Sequence, residues 1–127
     1  MGNNFTITVV AENENIGNKN INLAIEEIRR IERLLTTYKE DSQTNLINEN
    51  AGIRPVKVDP EVFNLIERCI GISRITQGAF DISYGSIDKS LWNFDKTMTK
   101  LPDSDTALKM VHLIDYRNII LDKKHTT

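Results

Sequence analysis

The stretch INLAIEEIRRIERLLTTY, residues 21 to 38, constrains the chain most. Ile21, Ala24, Ile25, Ile28, Ile31, Leu34 and Leu35 recur three or four positions apart. At ~3.6 residues per turn that spacing gathers them on one face of a helix. Glu26, Arg29, Arg30 and Arg33 fill the other face. Such a stripe must be buried against a second layer of structure. Asn18 or Asn20 is expected to cap its start. A second stripe of the same period runs Val62, Leu65, Ile66, Cys69 and Ile70. Asp59 stands before it as a cap, Pro60 takes the first helical position and Glu61 the first turn. A glycine stop is expected near Gln77-Gly78. Ile25, Ile28, Leu35, Val62, Leu65 and Ile66 are the expected core.

The remaining segments read as shorter elements. FTITVVA, residues 5 to 11, is β-branched and predicts a strand. ENENIGN reads as a turn. KEDSQTNLINENAGI reads as a polar surface loop with one helical turn at its centre. RPVKVD predicts a short edge strand, because Pro55 has no N–H for a ladder. A third helix is expected from a cap at Ser104 or Asp105 to about Leu113, with Ala107, Leu108 and Val111 inward. RNIILD, residues 117 to 122, predicts a last strand. The expectation is an α+β fold (mixed α/β), helices packed on a sheet, within one domain of residues 1 to 127. So few strands leave sheet edges unpaired, which predicts that the chain is part of a larger single domain.

Charge and motifs exclude several functions. With 16 Lys and Arg against 18 Asp and Glu, there is no basic excess to meet phosphates, and nucleic acid is not an expected partner. No apolar run approaches the ~20 residues that cross a bilayer, and the start does not read as a secretory signal. The single Cys69 forms no internal disulfide framework and reads as a small core residue. Asn4-Phe5-Thr6 matches a glycosylation acceptor but lies inside a strand pattern. Phosphate-loop and dinucleotide-loop glycine patterns are missing, as are paired-Cys and His-Glu-x-x-His metal spacings. His112 reads as a surface or capping residue and His125 as a terminal one. No catalytic residue and no metal ligand is assigned.

One stretch stands out chemically: TQGAFDISYGSIDKSLWNF, residues 76 to 94. It holds Phe80, Tyr84, Trp92 and Phe94, four of the chain's eight aromatics. Gly78 and Gly85 permit turns. Asp81 is able to accept hydrogen bonds from ligand N–H groups or from the loop's own backbone. Tyr38 ends the first helix. These parts suit a planar heteroaromatic ligand with hydrogen-bonding edges. They equally suit aromatic anchors that hold a long loop on a core.

MGNNFTITV at the start, LLTTYKEDSQTNLIN at 34 to 48 and QGAFDISYGSIDKSLWNF at 77 to 94 closely resemble, in order and spacing, the ApbE family. These are FAD:protein FMN transferases, formerly called thiamine biosynthesis lipoproteins. The likeness runs from the first residue to the last, and Ala79-Phe80-Asp81 is its most specific element. It implies an ApbE-like fold that binds FAD and magnesium. It also implies transfer of FMN to a threonine hydroxyl of an acceptor protein, a subunit of a membrane respiratory complex, with release of AMP. By motif, the implied FAD contacts are Met1, Tyr38, Ala79, Phe80 and Asp81, with Asp81, Phe80, Tyr38 and Met1 on one concave surface. Asn3 departs from the family's Thr, Gln77 from its first Gly, and Ile82 from its frequent Pro.

The resemblance further implies a family chain that continues well past residue 122. The magnesium ligands and a Lys-bearing Gly-rich segment are expected there, and neither is found in residues 1 to 127. The chain is therefore expected to carry one wall of a flavin site and to be inactive by itself. The alternative is a non-catalytic flavin or nucleotide binding module, or a structural partner domain. Family likeness places the parent protein at the outer face of the cytoplasmic membrane as a lipid-anchored protein.

Overall fold

The computed structural model describes residues 4–86 and 103–127. They fall into two compact units, Met1–Val58 and Asp59–Thr127.

The first unit is built on α1, Glu14–Leu35. Its cap is Asn13, whose side chain accepts from the Ile16 N–H at 3.0 Å, so the helix begins seven residues before the apolar stripe. Asn18 and Asn20, the expected caps, lie inside it. The stripe marks where burial starts, whereas the first free asparagine with extended backbone sets the boundary. Buried Gly17 is where residues 9–11 approach α1. A β-carbon there would meet Val9 Cγ1 at 3.5 Å and Ala11 Cβ at 3.7 Å. α2, Gln43–Asn50, occupies the expected polar loop and is two turns long rather than one. Its cap, Ser42, is fully buried, and the Ser42 hydroxyl accepts from the Asn45 N–H at 3.1 Å.

The second unit opens with α3, Pro60–Ile75, capped by Asp59 as the sequence predicts. The Asp59 carboxylate accepts from the Glu61 N–H at 2.8 Å. The helix ends by a left-handed reversal at Gln77 (φ 53) and Gly78 (φ 85). The Gly78 N–H reaches back to the Ser73 carbonyl at 2.8 Å, the six-to-one bond of a Schellman stop. A 3-10 turn at Ile82–Ser86 follows. Beyond it lie α4, Ser104–Val111, and a 3-10 turn at Tyr116–Asn118. Asp103, rather than Ser104 or Asp105, caps α4, accepting from the Thr106 N–H and hydroxyl at 3.0 and 2.6 Å. His112 is the exposed C-cap residue of that helix.

The α+β expectation is corrected: the described residues contain helices and 3-10 turns, and no strand or sheet. Residues 5–11 have the composition of a strand and even alternate in exposure, with Ile7 and Val9 half-buried and Val10 99% exposed. A β-branched run becomes a strand only when a neighbouring segment supplies a ladder, and none does among the described residues. The same holds for residues 54–59. In RNIILD, Asp115 captures the Arg117 N–H at 3.0 Å and winds the start of the run into a 3-10 turn.

The expected core is corrected in phase. On α3 the buried residues are Val62, Phe63 and Ser73, with Ile66, Cys69 and Ile70 half-buried, while Leu65 is 43% exposed. The covered face takes in Phe63 at one edge and leaves Leu65 out at the other, and Phe63 outweighs Leu65 in area. On α1, Ile25, Ile28 and Leu35 are half-buried rather than fully buried. On α4, Leu108 and Val111 are exposed, and Thr106, Ala107 and Met110 are partly covered.

Candidate functional site

Ala79, Phe80 and Asp81 sit directly after the α3 reversal, and two sets of hydrogen bonds hold them. On the N-terminal side stands Thr76. Its hydroxyl donates to the Ile72 carbonyl at 3.0 Å and accepts from the Phe80 N–H at 3.2 Å. The Thr76 carbonyl accepts from the Ala79 N–H at 3.1 Å. On the C-terminal side Asp81 gathers donors. Its Oδ1 accepts from the Ser83 N–H at 2.9 Å and the Ser83 hydroxyl at 2.7 Å. Its Oδ2 accepts from the Tyr116 N–H at 2.8 Å. The Ser83 hydroxyl oxygen also accepts from the Asp115 N–H at 2.8 Å. The run is thus braced between the end of α3 and the Tyr116–Asn118 turn. Phe80 is 41% exposed, so its ring is only partly used in packing.

A fixed charge arrangement adjoins Asp81. The Arg117 guanidinium donates to Asp115 at 2.8 and 3.0 Å. That hydrogen bonding holds the Asp115 carboxyl below the ordinary carboxylate range and raises Arg117 above its own. The Asp81 charge adds to the Arg117 shift in the same direction. The carboxylates at 81 and 115 are therefore both met by donors, as half-buried charges require.

Tyr38, in the first unit, is displayed in a comparable way. Its side chain is 87% exposed, beyond the Thr36 cap of α1. The backbone beneath it is clasped by the start of α2. Asn45 Nδ2 donates to the carbonyls of Thr37 and Lys39 at 3.2 and 2.8 Å. The Thr44 hydroxyl donates to the Leu35 carbonyl at 3.2 Å. An exposed ring on a tethered turn retains few backbone degrees of freedom to lose on contacting a ligand.

Ala79, Phe80 and Asp81 are contiguous and lie in the second unit, and Tyr38 lies in the first. Met1, Trp92 and Phe94 lie outside the described residues. The sequence reading passed over Thr76, Ser83 and Asn45, the residues that do the holding. Asp81-x-Ser83 does carry an Asx-turn pattern, and Ser42 three residues before Asn45 a capping one. Neither pattern reveals the long-range partner. A groove of 370 Å³ between residues 5–7 and α1 is lined by Phe5, Ile7, Ile21, Ile25, Ile28 and Arg29 and contains none of the expected site residues. Among the described residues no three His, Cys, Asp or Glu side chains converge as metal ligands. No described helix is long and apolar enough to cross a membrane.

Comparison with known proteins decides what these displayed residues belong to. The pattern of the ApbE family matches residues 1–127 in full. The chain belongs to the ApbE family. It is similar to an FAD:protein FMN transferase of Treponema pallidum, at 30% identity over 105 residues, covering 80% of this chain and 29% of that protein. It is also similar to an FAD:protein FMN transferase of Klebsiella pneumoniae, at 33% identity over 96 residues, covering 76% and 30% respectively. The crystal structure of the ApbE protein of Thermotoga maritima superposes with a TM-score of 0.78 at 24% identity. It covers 92% of this chain and 38% of that one, and shows that the fold is ApbE-like. The chain spans about three tenths of the length of the curated relatives it matches.

Proposed function

We propose that this chain forms part of the FAD site of an FAD:protein FMN transferase, with Tyr38, Ala79, Phe80 and Asp81 as flavin contacts and Met1 as a further one by motif. The observation that carries the reading is the braced Ala79–Phe80–Asp81 run with its partly exposed aromatic ring. The names of the related proteins supply the reaction class. In that reaction a threonine hydroxyl oxygen of an acceptor protein bonds to the FMN phosphorus of FAD. The pyrophosphate P–O bond breaks, AMP leaves with the electron pair, and the hydroxyl proton is lost.

What these residues contribute is binding and orientation. Phe80 and Tyr38 offer flat apolar faces to a heteroaromatic ring, each such pairing being worth about 0.5–1.5 kcal/mol beyond area burial. Asp81 has three donors on four lone-pair sites, which leaves one on Oδ2 for a ligand N–H. Among the described residues no three side chains form a magnesium ligand set. The alternative reading is a flavin-binding module without transferase chemistry. By family likeness alone we extend the proposal to an acceptor in a membrane respiratory complex and to a location at the outer face of the cytoplasmic membrane.

Titration of FAD into the chain, followed by flavin fluorescence, tests the binding reading. Saturable binding that weakens about tenfold in Phe80→Ala is expected. No binding by the unaltered chain sinks it.

A further inference from the structure

We propose that Ser83 is a positioning residue of the flavin site, acting through Asp81; this rests on the flavin reading above. The Ser83 hydroxyl both donates and accepts within this cluster. It donates to Asp81 Oδ1 at 2.7 Å and accepts from the Asp115 N–H at 2.8 Å. The second bond spans 32 residues of chain. They fasten the loop that follows Ala79–Phe80–Asp81 to the backbone that also delivers the Tyr116 N–H to Asp81 Oδ2. With Oδ1 held twice by Ser83, the carboxylate plane has one setting, and so does the remaining lone-pair site of Oδ2. Without the hydroxyl, the Asp115 N–H loses its acceptor in a half-buried place and Asp81 keeps only its two amide donors. The carboxylate is then free to turn, and a ligand must order it on binding. Ser83 itself does not touch the ligand in this scheme.

The test is FAD affinity, by flavin fluorescence, for the unaltered chain, Ser83→Ala and Ser83→Thr, each measured well below its own melting midpoint. Ser83→Ala is expected to bind about tenfold more weakly, and Ser83→Thr, which keeps the hydroxyl, to stay within about threefold. In a cycle with Asp81→Asn, the double variant is expected to bind like Asp81→Asn alone, because Ser83 acts only through that carboxylate. If Ser83→Ala does not fold, Ser83→Cys replaces it with the same expectation. Equal affinity in a folded Ser83→Ala or Ser83→Cys chain, or additive losses in the cycle, overturns the proposal while leaving the flavin reading intact. Failure of the unaltered chain to bind FAD overturns both.

Discussion

Asp81 and Tyr116 are 35 residues apart, yet the Tyr116 backbone N–H donates to Asp81 Oδ2 at 2.8 Å. Asp81 is therefore a structural tie between two turns before it is anything else. Asp81→Asn keeps the oxygen that Ser83 uses but sets an amide N–H₂ against the Tyr116 N–H, or the reverse if the amide flips. One donor is left facing a donor in either case. The expected loss of stability is about 1.5–3 kcal/mol, the range for removing a hydrogen bond to a charged group. Urea denaturation measures it, and the Tyr116 amide should exchange faster with solvent. An unchanged midpoint would show that the tie is incidental.

Gln77 takes the left-handed conformation at φ 53, where a side chain is strained and glycine is not. Gln77→Gly is expected to raise stability by about 0.5–1 kcal/mol, the relief of strain exceeding the extra entropy of the unfolded chain. Gly78, at φ 85 with open space around its would-be β-carbon, gives the opposite sign. Gly78→Ala is expected to cost about 1 kcal/mol through backbone strain alone. Thermal melts of the two variants should shift in opposite directions.

The α3 phase makes a paired prediction. Phe63 is 5% exposed and Leu65 43%. Phe63→Ala should cost about 3–5 kcal/mol and Leu65→Ala about 1 kcal/mol or less. Equal costs would restore the phase that the apolar spacing alone suggests.

These residues show what was legible in the sequence. The existence of α1, α3 and α4 was readable, because a 3.6-residue period needs no tertiary partner to be seen. The Asp59 cap and the Gly78 stop were readable because their causes are local. Residues 5–11 were misread as a strand, since whether a β-branched run pairs is decided by a segment elsewhere in space. Phe63 was missed because the stripe was phased on the number of aliphatic residues rather than on their area. Ala79-Phe80-Asp81 was legible as a motif. The Ser83 and Thr76 braces were not, because a serine two residues after an aspartate is common, and its bond to residue 115 leaves no local mark.

Acid should destabilise the fold in a defined window. Glu27, Asp103, Asp115 and Asp122 all titrate below their ordinary values. The leading causes are hydrogen bonds from Arg30, Thr106, Arg117 and His125 respectively. A depressed folded-state value means that the unfolded chain takes up the proton first as pH falls. Their contribution is therefore complete above the ordinary values of 4.5 for Glu and 3.8 for Asp. It is lost below them, as each folded-state group is protonated. These side chains are on the surface, so the effect of each is small and screened by salt. The urea midpoint at low ionic strength should be nearly flat from about pH 7 to 5 and fall below about pH 4. Asp103→Asn should fall less steeply. A midpoint that rises on acidification would reverse the sign assigned here.

The chain of 127 residues, given FAD, magnesium and a threonine-bearing acceptor peptide, is expected to transfer no FMN. Phosphoryl transfer asks a protein mainly for positioning and for neutralisation of charge on the transferring group. Among the described residues no three His, Cys, Asp or Glu side chains converge to hold a cation. Asp81, in the Ala79–Phe80–Asp81 run, and Asp115, tied to that run through Ser83, are met by donors from Ser83, Tyr116 and Arg117. Arg117, the cation of that cluster, is committed to Asp115 in a two-point pair. Freeing it for a phosphate would strand the Asp115 carboxylate. Each ~1.4 kcal/mol of missing transition-state stabilisation slows the reaction tenfold, so a shortfall of several kcal/mol in charge neutralisation lowers turnover by several orders of magnitude. Mass spectrometry of the peptide after prolonged incubation checks this. A peptide carrying the added mass of FMN would mean that residues 1–127 hold a complete transfer site.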